Sequence, residues 1–548
     1  LVGAYERDVR LWAEAGTPKG FGHELFADDL ERIEENVMRA IDRVPAVGAA
    51  GIKRVINGPM IWSPDSAALL GPVPERPGYF CCCGIIPGFS QSGGLGRLTA
   101  EWLTEGEPSL DLFGWDLARF DRWATPAFTR ARVRDQYAHR FAIHFPGEER
   151  AAGRPARTRP AFEMQRARGA VFGLNAGWEH PLYFDARVPD SAGFARQPWW
   201  HSVGREARML RAAAGIIDIS NFARVAVEGP GAEDWLNALL ANRMPRSAGR
   251  TCLSPLIGAR GGVAGDFTVT RTGPERFMVF GAGAAERYHA RFFRAVPLPP
   301  GTTVRSRTEA MAGFAVAGPR SRELLGRLSD ADLSNAAFPF FRSRWIEVAG
   351  IEVLALRVSF TGDLGWELHC AEADQVALYA ALLEAGAPLG AGPVGSRALM
   401  SLRLEKGYGS WGRDYSPEYW PQESGLDGLV KADKEFLNRA AWQRIAGKAP
   451  RERLVLLEID AREADAAGGE PIFRPDGTPA GQITSGGYGY HVGASLALAY
   501  VAPDAAGAGT PLDVAILGRP HAARVLPGAP FDPEGRRLRD TAPVPAPA

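Results

Sequence analysis

Apolar residues at Leu30, Ile33, Val37, Ile41 and Val44 recur at helical spacing, which predicts an amphipathic surface helix over residues 28–44 with Asp28 able to cap its start. Residues 1–5 read as a strand, and Tyr79 to Cys83 as a buried strand. A glycine-rich turn (Gly88, Gly93, Gly94, Gly96) follows, then a helical stretch from about Leu95 to Leu103. Residues 146–160 hold almost no large apolar side chain; their Pro, Gly and Arg content predicts an exposed linker and a domain boundary near residue 150. Between Ser202 and Glu435 short apolar strands alternate with helical stretches, which points to an α+β domain. One echo lies inside it: Val227-Glu228-Gly229-Pro230-Gly231-Ala232 recurs 89 residues later as Val316-Ala317-Gly318-Pro319-Arg320-Ser321, implying two copies of a strand, Gly-Pro turn, helix unit. From Glu452 onward short strands separated by Pro475-Asp476-Gly477 and Gly486-Gly487 predict a small β-barrel. The closing Pro-Val-Pro-Ala-Pro-Ala tail reads as disordered.

Charge and composition narrow the function. With 63 Lys+Arg against 63 Asp+Glu in 548 residues there is no basic surplus to track a phosphate backbone, which argues against nucleic acid. No apolar run approaches the roughly 20 residues that span a bilayer, so no membrane partner is expected. Five cysteines without a C-x-x-C pair argue against disulfides and structural zinc, and the compartment is expected to be cytoplasmic.

Few residues carry candidate chemistry. Asp266 is a lone carboxylate among small residues at the start of an apolar strand, able to accept a proton or to fix an amine, or equally to cap a turn. Glu367 lies on a short apolar strand where an unpaired charge is costly, so a ligand or a buried ion pair with an arginine is expected. Arg397, ahead of an apolar helix, could clamp a carboxylate or make a helix-start salt bridge. Gly93 and Gly94 could let a backbone approach an anionic ligand at a helix N-terminus, or serve close packing. His180 is the best placed of the scattered histidines, with a structural role the simpler reading, and Cys81 to Cys83 read as small hydrophobes.

Several of these segments resemble a known family. Gly229-Pro230-Gly231-Ala232, Gly265-Asp266-Phe267-Thr268-Val269-Thr270, Phe360-Thr361-Gly362-Asp363-Leu364-Gly365-Trp366-Glu367-Leu368, Ser401-Leu402-Arg403-Leu404-Glu405-Lys406-Gly407 and, in the barrel, Gly481-Gln482-Ile483-Thr484-Ser485-Gly486-Gly487-Tyr488 look like the folate-binding aminomethyltransferase (glycine-cleavage T-protein) domain. The stretch before it, with Arg54-Val55-Ile56-Asn57-Gly58-Pro59 and Gly106-Glu107-Pro108-Ser109, resembles the second half of a D-amino-acid-oxidase-type flavin domain, an order found in dimethylglycine and sarcosine dehydrogenases. The resemblance implies an α+β multidomain chain. Residues 1–120 would be a partial FAD-dependent oxidoreductase domain, 121–160 a linker region, 161–440 the folate-binding domain and 450–540 the barrel.

It also implies an enzyme in which FAD oxidises a small N-methyl amine to an iminium and tetrahydrofolate captures the one-carbon unit as 5,10-methylenetetrahydrofolate. The electron acceptor is not specified. Asp266 would be the acid/base or electrostatic partner of the folate nitrogens and Glu367 the pterin ligand, with Thr268, Phe360, His369 and Arg397 lining the pocket. Gly93 and Gly94 would face FAD. The family's ADP-binding unit would precede Leu1, so this stretch by itself is expected neither to hold FAD nor to oxidise the amine. Phe360 stands where relatives often have Tyr, and Gly428 where an aromatic can occur. Non-catalytic folate-binding relatives carry a Lys-Gly-Cys-type motif; here it is Lys406-Gly407-Tyr408. A free-standing aminomethyltransferase is the remaining alternative.

Overall fold

The computed structural model describes residues 2–540, so the Pro-rich tail lies outside the described residues. The chain divides into two units. The smaller takes residues up to Thr104 together with Leu112–His144 and Arg150–Arg157; the larger takes Glu105–Asp111, Phe145–Glu149 and the chain from Thr158 on.

In the smaller unit Leu69–Pro72 pairs antiparallel with Phe80–Cys83, and the fully buried Leu70 packs with Leu95, Leu98 and Leu112. Four expectations are corrected here. Residues 2–5 form no strand. The first helix is split into a 3-10 turn, Glu31–Ile33, and the α-helix Glu34–Arg43, and Asp29 rather than Asp28 accepts the Arg32 N–H at 3.3 Å. The strand at Phe80–Cys83 is not buried: Cys82 and Cys83, which point to opposite faces of the two-stranded ribbon, are both exposed. The following helix runs over Gly88–Glu105, so Gly93, Gly94 and Gly96 lie inside it instead of forming a turn before it.

The expected linker at 121–160 is also folded. It contains the helix Pro126–Ala138, capped by Thr125 Oγ1, which accepts the Phe128 N–H at 3.2 Å. Its polar residues are fastened rather than solvated. Glu149 accepts the Leu174 N–H at 3.1 Å, and the buried Arg159 donates to the Ser220 and Thr308 carbonyls at 2.8 and 2.7 Å while lying 3.8 Å over the Trp178 ring. Polar composition signals exposure only where the polar groups lack protein partners.

Besides the two-stranded ribbon of Ala170–Asn175 with Trp178–Phe184, the larger unit holds two larger sheets and a barrel. The first sheet is antiparallel, in the order Thr303–Ser306, Ala223–Glu228, Arg276–Gly281, Val263–Gly273, Thr251–Ile257. The second runs Ser343–Val348, Ile351–Leu356, Gly365–Ala371, Met311–Ala317, Gly215–Asp218, Gly392–Val394, with only the last pair parallel. The two echo segments sit where expected: Ala223–Glu228 leads through Gly229 and Pro230 into the helix Ala232–Leu239, and Met311–Ala317 leads through Gly318 and Pro319 into Ser321–Gly326. Gly229 adopts φ +114°, and a Cβ there would lie 2.2 Å from the Gly301 carbonyl oxygen, so that turn requires glycine. The predicted barrel is closed by six strands between Arg453 and Val525, around an apolar interior that includes Leu457, Ile472 and Val514.

Buried ion pairs join these parts. Arg211, on the helix Trp199–Ala212, donates to Asp363 at 2.7 Å and to Glu405 at 2.7 Å, and all three side chains are essentially inaccessible to water. Glu405 ends the helix Ser396–Glu405 and accepts the His491 N–H of the barrel at 2.7 Å. Asp363 also receives Arg537 at 2.9 Å, and the Phe531 ring lies 3.5 Å from the Arg211 guanidinium carbon. Removing one member of such a cluster strands the others in low dielectric. Arg211→Ala is expected to lower the unfolding free energy by about 3–5 kcal/mol, read from the urea midpoint of the chain; a loss below about 1 kcal/mol would mean that water reaches the two carboxylates.

Candidate functional site

The two sheets of the larger unit pack face to face through Ala226, Met278 and Phe280 on one side and Met311, Leu354 and Leu356 on the other. Strand alternation then decides which residues meet. Thr268 is paired directly with Phe280, so Thr268 and Asp266, two residues apart, share the face that carries Phe280. Opposite, Leu354 pairs with His369 and Leu356 with Glu367, placing both on the facing side of the second sheet. The rings of Phe280 and His369 stack at 4.5 Å with 25° between planes, directly across the seam. Asp266 and Glu367 are therefore carried on facing sheets.

A small cleft, about 10 Å³ of free volume, lies on the second sheet. Its floor is the row Ile217, Ala315, Glu367, paired side by side across three strands, and its walls include Phe222, Phe360 and Leu399. Phe360 is backed by Tyr408, with ring centroids 6.1 Å apart and planes 19° apart. Within this apolar lining Glu367 is the single carboxylate. Its expected arginine partner is not found among the described residues. His369 Nε2 lies 3.6 Å from it, and burial pushes that imidazole down to about 4, so it is neutral at physiological pH.

Asp266 lies within the strand Val263–Gly273, not in a turn. The strand is pinned from behind: Trp411 Nε1 donates to the Val263 carbonyl at 3.1 Å, the Val263 N–H donates to the Tyr419 carbonyl at 3.0 Å, and His289 Nε2 meets the Ala264 carbonyl at 3.2 Å. Gly262 is required there, since a Cβ would lie 1.8 Å from the Pro417 carbonyl oxygen. No other residue donates a hydrogen bond to the Asp266 carboxylate among the described residues. Burial pushes its carboxyl up to about 6, and the nearby Asp414 charge acts in the same direction. The group can therefore exchange a proton close to neutral pH.

The expected residues do not all meet. Phe360 and Glu367 line the cleft, His369 sits beside Glu367 on the same strand, and Asp266 and Thr268 face that strand across the sheet seam. Arg397 does not line it. Its guanidinium donates to Asp190 at 2.6 Å and lies 4.0 Å over the Trp199 ring, which is the helix-start salt bridge. His180 lies on the strand Trp178–Phe184, outside the cleft lining.

Gly93 and Gly94 lie inside the helix Gly88–Glu105, so their N–H groups belong to the helical ladder and not to a free helix N-terminus. Two neighbours were missed. Arg224, fully buried, bonds His369, and Tyr415 lies near enough to Asp266 for that charge to help burial push its hydroxyl up. Arg224 was detectable by the rule that singled out Glu367, a lone charge in the apolar run Ala223-Arg224-Val225-Ala226-Val227.

Comparison with known proteins places this geometry. Residues 161–434 match the model of the GCVT N-terminal domain, 452–532 that of the glycine cleavage T-protein C-terminal barrel domain, and 105–158 that of the FAD dependent oxidoreductase central domain. Mitochondrial dimethylglycine dehydrogenase of Rattus norvegicus is 33% identical over 96% of the chain, which spans 62% of that relative's length. An aminomethyltransferase of Saccharopolyspora erythraea is 32% identical over 66% of the chain and 94% of its own. The crystal structure of the glycine cleavage system aminomethyltransferase T from Bartonella henselae superposes with a TM-score of 0.60 at 27% identity, covering 68% of this chain and 98% of that one.

The raised Asp266 carboxyl makes a stability prediction. Ionised at pH 8 in both states, it is penalised only in the folded one; as pH falls through about 6 the folded form takes up a proton and the penalty disappears, and below about 4 both states are protonated. Asp266→Asn is accordingly expected to raise the melting temperature at pH 8 and to leave it near wild type at pH 4. An equal or lower melting temperature at pH 8 would show that the carboxylate is solvated or paired.

Proposed function

The chain belongs to the glycine-cleavage T-protein family, and from that premise we propose that it carries out the folate-dependent half of an N-methyl amine demethylation, in an enzyme of the dimethylglycine or sarcosine dehydrogenase type. The observation that carries this reading is the isolated Glu367 carboxylate at the floor of a small apolar cleft walled by the Phe222 and Phe360 rings. A flat heterocycle with an edge of paired N–H donors satisfies such a carboxylate and covers such a wall, as a pterin does.

Tetrahydrofolate supplies, when bound, the nitrogens that accept a one-carbon unit. The chain's own residues then have separate tasks. Glu367 accepts hydrogen bonds from the ligand edge and fixes its orientation. The apolar residues Ile217, Ala315 and Leu399 exclude water that would hydrolyse an iminium to formaldehyde. Asp266, pushed up to about 6, holds or releases a proton where amine nitrogens change charge. The similarity to dimethylglycine dehydrogenase supports a small N-methyl amine as the source of the one-carbon unit. Its oxidation is assigned to FAD by the resemblance to that enzyme type. A cytoplasmic site of action belongs to the same proposal, although the rat relative is mitochondrial by name.

A second reading, a stand-alone aminomethyltransferase, is favoured by the coverage of the Saccharopolyspora and Bartonella proteins over nearly their whole length. It requires an aminomethyl-lipoyl carrier protein as donor, whereas the first reading is served by an iminium or by formaldehyde. Methylene transfer from formaldehyde that does not depend on a lipoyl carrier separates the two.

Calorimetry with tetrahydrofolate tests the site. Glu367→Gln is expected to weaken binding about ten-fold or more, because hydrogen bonds to a charged acceptor are worth about 1.5–3 kcal/mol. Asp266→Asn is expected to retain most of the affinity while slowing methylene transfer by about 10²–10⁴. Unchanged affinity in Glu367→Gln together with wild-type transfer in Asp266→Asn would leave both carboxylates without a role in the reaction.

A further inference from the structure

Arg224 is a buried cation with no carboxylate bonded to it among the described residues. Its side chain is inaccessible to water, and its donors go to the carbonyls of Ile219 at 2.9 Å, Ser220 at 3.1 Å and Phe222 at 2.9 Å, and to His369 Nδ1 at 3.1 Å. Carbonyls alone would satisfy a structural guanidinium. The bond to imidazole is more demanding, because Nδ1 must present a lone pair to the Nε–H of an arginine that stays protonated. The imidazole is then neutral, with its proton on Nε2. Burial, which pushes His369 down to about 4, acts the same way.

The rest of the surroundings is built around this pair. Phe280 stacks on the imidazole at 4.5 Å and holds its plane. Gly313 lies beneath both groups: a Cβ there would fall 2.9 Å from Arg224 Nη2 and 2.9 Å from His369 Nδ1, so any larger residue would push the pair apart. Nε2 is buried and has no hydrogen-bond partner, with Glu367 Oε2 at 3.6 Å in front of it. An orphaned buried N–H beside the single carboxylate of a cleft is costly unless occupancy of the cleft uses it.

We propose that Arg224 is a positioning residue for the cleft: through its bond to Nδ1 it holds His369 as the Nε2–H tautomer and aims that N–H at the Glu367 carboxylate that receives the ligand. The inference rests on the reading of the cleft as a folate site. The positive charge of Arg224, set behind the histidine, also favours a negative group at Glu367. The ligand edge then meets a carboxylate held from behind by a donor of fixed direction.

The test uses the intact chain. ¹⁵N NMR of histidine-labelled protein, with the His369 signals identified by their loss in His369→Gln, is expected to show protonation at Nε2 only, and Arg224→Lys is expected to yield a mixture of tautomers. Glutamine offers an acceptor to Arg224 and an N–H to Glu367, so His369→Gln is expected to bind tetrahydrofolate within about three-fold of wild type. His369→Phe, which keeps the stack on Phe280 but has neither an acceptor for Arg224 nor an N–H facing Glu367, is expected to lose about ten-fold or more, as does Arg224→Lys. Protonation at Nδ1 in the wild type, or equal affinities in His369→Gln and His369→Phe, would overturn the proposal. The wild-type tautomer decides the Arg224 to His369 link even if a variant fails to fold. Failure of the wild type to bind tetrahydrofolate would sink the functional reading and the ligand half of this inference, while leaving that tautomer result standing.

Discussion

A guanidinium sealed between two carboxylates, Arg211 between Asp363 and Glu405, sets the terms for the larger unit. Three ions removed from water are tolerated only at hydrogen-bond distance, so the helix Trp199–Ala212, the loop after Phe360 and the end of the helix Ser396–Glu405 must come together or not at all. The barrel is held by the same means, with Arg403 bonded to Asp414 at 2.6 Å and to Ser485 at 2.8 Å. The cleft inherits this precision. Thr361, whose carbonyl accepts from Arg211 at 2.8 Å, lines the cleft beside Phe360.

Around the cleft the charges are arranged differently, and the difference separates support from chemistry. Glu206 accepts the N–H groups of Phe184 and Gly395 at 2.6 and 2.7 Å, and although burial pushes it up to about 7, both of its oxygens are in use. It fastens the start of the helix that carries Leu399 to the neighbouring strand. Asp266 and Glu367 have no comparable partners. A carboxylate kept in a partly desolvated place without a bonded cation opposes folding, and such a cost is retained where a ligand makes it good.

The smaller unit shows where pattern reading falls short. Spacing located an apolar face on residues 28–44 and another on the helix carrying Leu95 and Leu98, but it did not say where hydrogen bonding starts. Gly93, Gly94 and Gly96 read as a turn because glycine is a poor helix former, yet the helix runs through them with nothing near their Cα atoms. Cys81 to Cys83 read as buried because they are apolar; at this end of the two-stranded ribbon Cys82 and Cys83 lie uncovered on opposite faces. Residues 146–160 read as exposed because they are polar, whereas Glu149 and Arg159 end on backbone groups more than twenty residues away.

What the sequence determined by itself is what local chemistry and family resemblance encode. The strand, Gly-Pro turn, helix repeat requires glycine at Gly229, the alternation after Glu452 closes as a barrel, and the lone carboxylates Asp266 and Glu367 stand out against apolar strands. Only the tertiary structure decided which of the candidates share a site. Arg397 was placed at the cleft by the resemblance while its spacing leaned to a helix-start salt bridge, and packing gave it Asp190 and the Trp199 ring. Arg224 drew no notice, and packing set it behind His369 across 145 residues of chain. Partner choice for a charged side chain depends on which groups are within about 3 Å once water has been expelled, and that is a property of the assembled sheets rather than of any one segment.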